Sequence, residues 1–331
     1  MKQLAIILVA AVITAALPLQ AQVKFTRAAP DKIAVDIDGK PYTTFYLAVD
    51  GQKPYIWPLS TADGLVVTRH FPMEQFPGET TDHPHHRGLF FAHGNINGFD
   101  FWETEPRKSP TAPMKSSMKL IRVTEMKGGK ESGTIQAVFQ GLNPSGEAIM
   151  EETRTVTFHA GSKLRIIDYG ITIDALVPTL TFGDTKEGTF GIRLATSMTE
   201  DAKLGGRMIN AQGATTEKNV WGKRSEWIDY DGPVDGKTVG VAIFDTPSNP
   251  RYPTYWHTRA YGLEAANVFG IHDFEAKTGV YATEQQSHQG DMVVERGHPV
   301  HFQYRVVIHD GDTQSADIAG LFKQYLAGQK K

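Results

Sequence analysis

Four of the chain's twelve histidines, His83, His85, His86 and His93, fall within eleven residues of one another. They belong to the run Asp82-His83-Pro84-His85-His86-Arg87-Gly88, which continues through Phe90, Phe91 and His93 to Asn95 and Trp102. A packed core has no use for such a density of imidazoles. Imidazoles titrate near neutrality, carry protons and ligate metals, and Arg87 adds a planar cation suited to a carboxylate, a phosphate or a sugar hydroxyl. If the stretch is extended, His83 and His85 share a face, His86 opposes them and His93 returns across a turn. His85 and His93 are therefore candidate acid–base residues, and His83, His86, Arg87, Asn95 and Trp102 candidate substrate contacts. A divalent metal, if one is held, would sit on His83, His85 and His93. Nothing in the sequence requires a cofactor, and the zinc-protease helix motif is absent.

Two further polar clusters could complete the chemistry. Gly183-Asp184-Thr185-Lys186-Glu187-Gly188 sets two carboxylates beside a cation, with Arg193 following. Asp184 or Glu187 would orient a histidine or act as the acid. A glycosidase needs two carboxyl groups facing each other at roughly 5 to 9 Å, so neighbours on one loop would recruit a distant acid. The third cluster is Trp256-His257-Thr258-Arg259-Ala260-Tyr261, where His257, Arg259 and Tyr261 alternate and would share one face of an extended segment. A His base, an Arg to neutralise a carboxylate and a Tyr to pass a proton suit β-elimination or enolisation beside a uronate. Trp102 and Trp221 are the aromatic residues expected to reach a sugar ring. No phosphate-cradling loop and no Gly-x-Ser-x-Gly nucleophile elbow is present.

The elements that must position these residues are strands. Short β-branched and aromatic runs alternate with Asp-Gly turns from Phe25 to Thr68, including Ile33–Ile37, Tyr42–Ala48, Tyr55–Ser60 and Gly64–Thr68. Longer runs follow at Met118–Glu125, Gly133–Gln140, Met150–His159 and Lys163–Asp174, the pattern of an antiparallel meander. Thr153, Thr155 and Thr157 against Arg154, Val156 and Phe158 display its period of two. Glu103–Met114 reads as a Pro-rich loop over the site. Gly236–Thr246, Val280–Ala282, Met292–Glu295 and Val300–His309 close the sheets, and Asp312–Leu326 is the one helix expected. No repeat or linker interrupts this pattern, so residues 22–331 read as a single mostly β domain.

Residues 1–21 have the charged start, apolar run and small-residue cleavage site of a signal peptide, which predicts a periplasmic or secreted bacterial protein. The chain contains no cysteine, so thiol chemistry and disulfides are excluded. With 34 Lys and Arg against 37 Asp and Glu, and no basic run, nucleic acid is not an expected partner, nor is a membrane once the leader is cleaved. The expected partner is a carbohydrate or another small molecule. The oligomeric state is left open.

The motifs Asp82 to Leu89, Phe182 to Gly188 and Trp256 to Leu263, in this order, resemble those of the bacterial PmoA-like family, across nearly the whole chain after the leader. Its inherited name alludes to methane oxygenase, a multi-span membrane enzyme, whereas this chain has no such spans. The resemblance implies an exported protein of bacteria that degrade plant or algal glycans. The Glu151–Phe158 and Leu164–Ile173 strands are similar to those of the galactose-mutarotase-like supersandwich, which implies a large antiparallel β-sandwich with a short C-terminal helix. The expected activity is that of a carbohydrate lyase, dehydratase or hydrolase using a His/Arg/carboxylate site. The alternatives are a non-catalytic carbohydrate-binding protein and the metal-dependent oxidoreductase that the inherited name suggests.

Overall fold

A computed structural model describes residues 22–103, 114–161, 163–275 and 288–329. The expected leader, most of the Pro-rich loop and the expected Val280–Ala282 strand lie outside these residues.

Two eight-stranded antiparallel sheets face each other. The first runs, edge to edge, through Val23–Ala29, Lys32–Ile37, Lys40–Tyr46, Tyr55–Trp57, Leu89–His93, Gly188–Arg193, Leu263–Asn267 and Tyr255–Trp256. The second runs through Arg207–Asn210, Trp227–Val234, Lys237–Phe244, Val300–Asp310, Arg165–Ala175, Ala148–His159, Ser132–Leu142 and Ser117–Lys127. The strand pattern predicts a mostly β domain and the likeness of its long strands implies a large antiparallel β-sandwich; that is the architecture found, with a C-terminal helix at Ile318–Gln329.

Alternation decides which side chains meet between the sheets. Val156 pairs with Tyr169 and Phe158 with Ile167, all fully buried, while the interleaved threonines face away. From the first sheet come Phe91, Phe190 and Ile192; Phe190 stacks on Tyr304 of the second with centroids 4.5 Å apart. Arg154 also points inward, where it pairs with Glu152 and donates to Pro54 O at 2.8 Å and Phe91 O at 2.9 Å. A buried cation on one sheet therefore fixes the backbone of the Leu89–His93 strand on the other.

Three differences from the sequence reading have physical causes. Leu263–Asn267, a central strand, is buried on both faces and so shows no alternation; its Glu, Ala and Asn are poor strand formers. Gly64–Thr68 contributes only isolated bridges, Ser60 to Val66 and Thr68 to Leu194. The C-terminal helix begins at Ile318 because Asp317 sits at φ 51°, in the left-handed region that no α-helix can include, with its carboxylate accepting Gly320 N–H at 3.2 Å.

The outer face of the first sheet is the one that carries chemistry. Tyr55, Trp57, Phe90, Ala92, Trp102, Leu263 and Ala265 form an apolar cluster there, separate from the core.

Candidate functional site

The His-rich stretch is a turn, and this changes which imidazoles meet. His83 has φ 43°, and His86 N–H bonds back to His83 O at 3.0 Å. Gly88 closes the turn at φ 55°, where a Cβ would collide with Ile56 O. His86 therefore does not oppose His83, as an extended chain would require. The two rings stack at 5.0 Å and 2°, and His83 also stacks on Tyr261 at 4.8 Å and 12°. His85 meets His86 edge-on at 4.3 Å, and fully buried Trp102 meets His86 in a T-shaped contact at 5.4 Å. Trp102 thus supports imidazoles and does not offer an open stacking surface.

One carboxylate orders this group. Asp82 Oδ2 meets His83 Nδ1 at 2.5 Å, Oδ1 accepts from Arg69 at 2.9 Å, and Arg193 Nη2 reaches the two oxygens at 2.8 and 3.0 Å. Partial burial pushes the Asp82 carboxyl upward, but the His83 hydrogen bond and the Arg193 charge hold it well below the usual carboxylate range. Arg69 also donates to Asp82 O at 2.7 Å and His83 O at 2.9 Å, so the turn is pinned by backbone as well as side chain. With Nδ1–H given to Asp82, the lone pair of His83 is on Nε2, and the side chain is 41% exposed.

Strand register brings the third cluster beside the first. His257 N–H bonds Ala265 O at 2.7 Å and Arg259 N–H bonds Leu263 O at 2.8 Å; Ala265 is opposite Gly191 and Leu263 opposite Arg193. Gly191 in turn faces Phe90. His257, Arg259 and Arg193 therefore share the outer face over a floor of Ala265, Gly191 and Ala92, and a strand spacing of about 4.8 Å puts His257 roughly 10 Å from Gly191 across the sheet. Tyr261 lies in the turn beyond Arg259, under the Arg193 guanidinium at 4.6 Å and the Arg259 guanidinium at 5.4 Å.

Hydrogen-bond partners fix the tautomers of the buried imidazoles. Arg193 Nη1 donates to His86 Nδ1 at 3.3 Å, which leaves the proton on His86 Nε2. His257 Nδ1–H donates to Lys186 O at 2.7 Å, which leaves Nε2 an acceptor. Burial, reinforced by Arg259, pushes His257 down to about 3, and burial with the His85 and Arg193 charges depresses His86 well below the ordinary imidazole value. Both are neutral. Among the described residues, His86 Nε2, His257 Nε2, Arg193 Nε and Thr189 Oγ1 are buried without a hydrogen-bond partner. All four belong to the outer face of the first sheet, and a polar ligand there would complete the bonding of those it reached.

Other expected site residues are placed elsewhere or act differently. His93 follows Phe91 to the inner face, where Nε2–H bonds Gly183 O at 2.7 Å and the ring packs on Phe269 at 4.5 Å. It cannot join His83 and His85 around a metal, and among the described residues no group of three or more His, Asp or Glu is arranged to hold one. Asn95 forms a turn, its Oδ1 accepting Gly98 N–H at 2.9 Å. Asp184 accepts His272 N–H at 2.9 Å and Gly290 N–H at 2.7 Å, so it anchors the loop; burial pushes it up to about 6. Glu187 pairs with Lys186 at 3.1 Å near Tyr261. Trp221 packs on His257 edge-on at 6.2 Å, and Arg87 lies 5.9 Å from the Tyr55 ring. Arg259 pairs with Glu217 at 3.0 Å. The reading of the sequence did not assign Arg69, Asp82 or Thr189. Asp82 stood in plain view beside His83, whereas nothing around Arg69 announced its role.

A family model matches residues 32–323, and its description is a family of unknown function, DUF6807. This overturns the resemblance to the PmoA-like family, which is withdrawn. No curated protein matches. Among solved structures, the chain is similar to a galactose mutarotase-like protein from Clostridium acetobutylicum, at 10% identity and a TM-score of 0.42 over 87% of this chain and 98% of that one. It is also similar to a galactose mutarotase-like protein from Lactobacillus casei, at 8% identity and 0.41 over 87% and 100%. A GH36 α-galactosidase from Geobacillus stearothermophilus matches at 10% identity and 0.39, over 88% of this chain but 40% of that enzyme.

Proposed function

The chain belongs to the DUF6807 family of unknown function, and for it we propose an exported acid–base enzyme that eliminates across, or otherwise enolises, an anionic sugar of uronate type. The observation that carries this reading is the Asp82–His83 pair at 2.5 Å, clamped by two buried arginines and opening onto solvent.

Such a pair has the parts of a general base. Asp82 stays ionised, holds the Nδ1 proton of His83 and stabilises the imidazolium that forms when Nε2 takes a proton. Removing a proton beside a carboxylate builds charge on the carboxylate oxygens. Arg193 and Arg259 flank the same floor, where cations placed in advance lower that barrier. Burial pushes the Tyr261 hydroxyl up to about 12, against the opposing pull of Arg259 and Arg193. It therefore keeps its proton at neutral pH and is the group to pass one to a leaving oxygen. Arg69, Arg193 and Asp82 together leave one positive charge, which favours an anionic ligand. Export rests on the leader-like first 21 residues.

The test is to incubate the purified protein with uronate-containing oligosaccharides and follow the absorbance of the unsaturated product, with neutral oligosaccharides and a reducing-end assay alongside. Turnover of the uronates that vanishes in His83→Gln supports the reading. Turnover unchanged in that variant, or restricted to neutral glycans, would sink it.

A further inference from the structure

A hollow lies beside the loop that leads to Asp82. It has a volume of about 260 Å3, and its walls include His70, Phe76, Thr196, Ser197, Val234 and Asp235. The loop is built around a second carboxylate–imidazole pair: Glu79 Oε1 meets His70 Nδ1 at 3.0 Å, and Oε2 accepts His70 N–H at 2.7 Å and Phe71 N–H at 3.3 Å. All the reach of Glu79 is spent inside the loop. His70 thereby presents Nε2 as its remaining polar atom.

Phe76 is 55% exposed, the third most exposed of the large apolar side chains among the described residues, after Leu204 and Val293. One of its faces lies flat on His70, at 4.3 Å and 10°. Holding an aromatic ring half in water at the mouth of a hollow costs hydrophobic free energy, and a ligand ring laid on the exposed face would recover it. Val66 and Val234 extend the apolar wall, and Ser197 and Asp235 are the polar residues beside them in the lining. No Lys or Arg lines the hollow, and Glu79 and Asp235 give it negative character. An anionic ligand is therefore disfavoured, the reverse of the site beside His83, which Arg193 and Arg259 flank.

We propose that this hollow is a binding site for one uncharged sugar ring, distinct from the site at His83. The apolar face of a pyranose would lie on Phe76 and the valines, and its hydroxyls would meet His70 Nε2, Ser197 and Asp235. The volume falls below the roughly 300 Å3 at which pockets begin to take drug-sized ligands, so it suits a single ring. The two sites share a wall: Thr80 N–H bonds Thr196 Oγ1 at 3.2 Å, and Thr80 Oγ1 accepts from Arg193 Nη2 at 3.4 Å. This inference does not rest on the acid–base reading.

The experiment is to titrate the full chain with methyl glycosides of neutral hexoses and with sodium glucuronate, reading amide shifts in the Phe71–Glu79 loop. Trp57, edge-on to His70 at 6.2 Å, gives a fluorescence signal as a second readout. A saturable response to at least one neutral glycoside, retained in His83→Gln, weakened at least tenfold in Phe76→Ala and lost in Ser197→Trp, is the expected result. Phe76→Ala removes an exposed ring, and a thermal melt beside the titration separates lost binding from lost fold. No saturable response to any neutral hexoside, a response indifferent to both hollow variants, or a preference for glucuronate in this loop overturns the proposal.

Discussion

His83 Nδ1 lies 2.5 Å from Asp82 Oδ2, and that contact sets the tautomer of the one imidazole in the His-rich turn that is 41% exposed. Replacing His83 by Gln removes the base and leaves the clamp on Asp82 in place. The expected loss in kcat is about 10²- to 10⁴-fold, the range typical of a general base, with the thermal melt within a few degrees of wild type. Asp82→Asn should cost comparable activity and more stability, because it leaves Arg69 and Arg193 facing each other without their anion. Steady-state kinetics paired with urea denaturation on both variants checks this, and wild-type kcat in His83→Gln would refute it.

Arg193 carries more of the site's architecture than its position on a strand suggests. Its side chain is 1% exposed, and it contacts Asp82, His86 and the Tyr261 ring. Breaking a buried ion pair by removing one partner costs about 3 to 5 kcal/mol, but Asp82 is 35% exposed and solvent recovers part of that. Arg193→Met should therefore destabilise by about 2 kcal/mol, while Arg193→Lys keeps the charge and loses the fork that reaches two partners. Urea midpoints that leave both variants at wild-type stability would mean that the pair contributes nothing.

The strands were largely legible because the sandwich writes its alternation into the chain: Thr153 to Phe158 shows which side chains meet Tyr169 and Ile167. Leu263–Asn267 hid because a strand buried on both faces has no alternation to show. The His-rich stretch announced a site, yet its geometry depended on one left-handed residue, His83, that no spacing rule exposes. His93 was misplaced by assuming a turn before it; the strand Leu89–His93 is straight, and period two sends His93 inward with Phe91. Arg69 and Thr189 could not be found from sequence, since their importance comes from neighbours distant along the chain.

Acid should act through the buried imidazoles. Burial is the leading cause that pushes His257 down to about 3 and His93 down to about 4, against an ordinary value of about 6.5 in the unfolded chain. The sign follows from proton counting. Above about pH 6.5 both states hold these rings neutral; as pH falls, the unfolded chain takes up protons that the fold refuses, and stability is lost toward pH 4. Asp184, raised to about 6 by burial, has the opposite sign: its contribution is present below about pH 3.9 and lost as pH rises through 6. The clean measurement is therefore a difference. The stability of wild type minus that of His257→Gln should shrink by about 1 kcal/mol for each pH unit between 6.5 and 4. A difference independent of pH would show that His257 is charged in the fold or free to leave its pocket.

Tyr261 offers the sharpest separation of chemistry from packing. Its ring stacks on His83 at 4.8 Å and lies beneath Arg193 at 4.6 Å, so the aromatic surface helps to hold the base and the cation in place. Its hydroxyl is a separate asset, kept protonated because burial raises it to about 12. Tyr261→Phe preserves the stack and deletes only the O–H. If the hydroxyl passes a proton to the leaving group, kcat should fall by about 10²-fold or more while KM and the melting temperature stay near wild type. Tyr261→Ala should lose stability as well, because His83 and Arg193 both lose a face. The discriminating measurement is the pair of variants on two sugar acids whose leaving groups differ in basicity. A hydroxyl that acts as the acid makes the Phe variant's defect larger for the poorer leaving group, whereas a purely structural ring gives the same small defect for both.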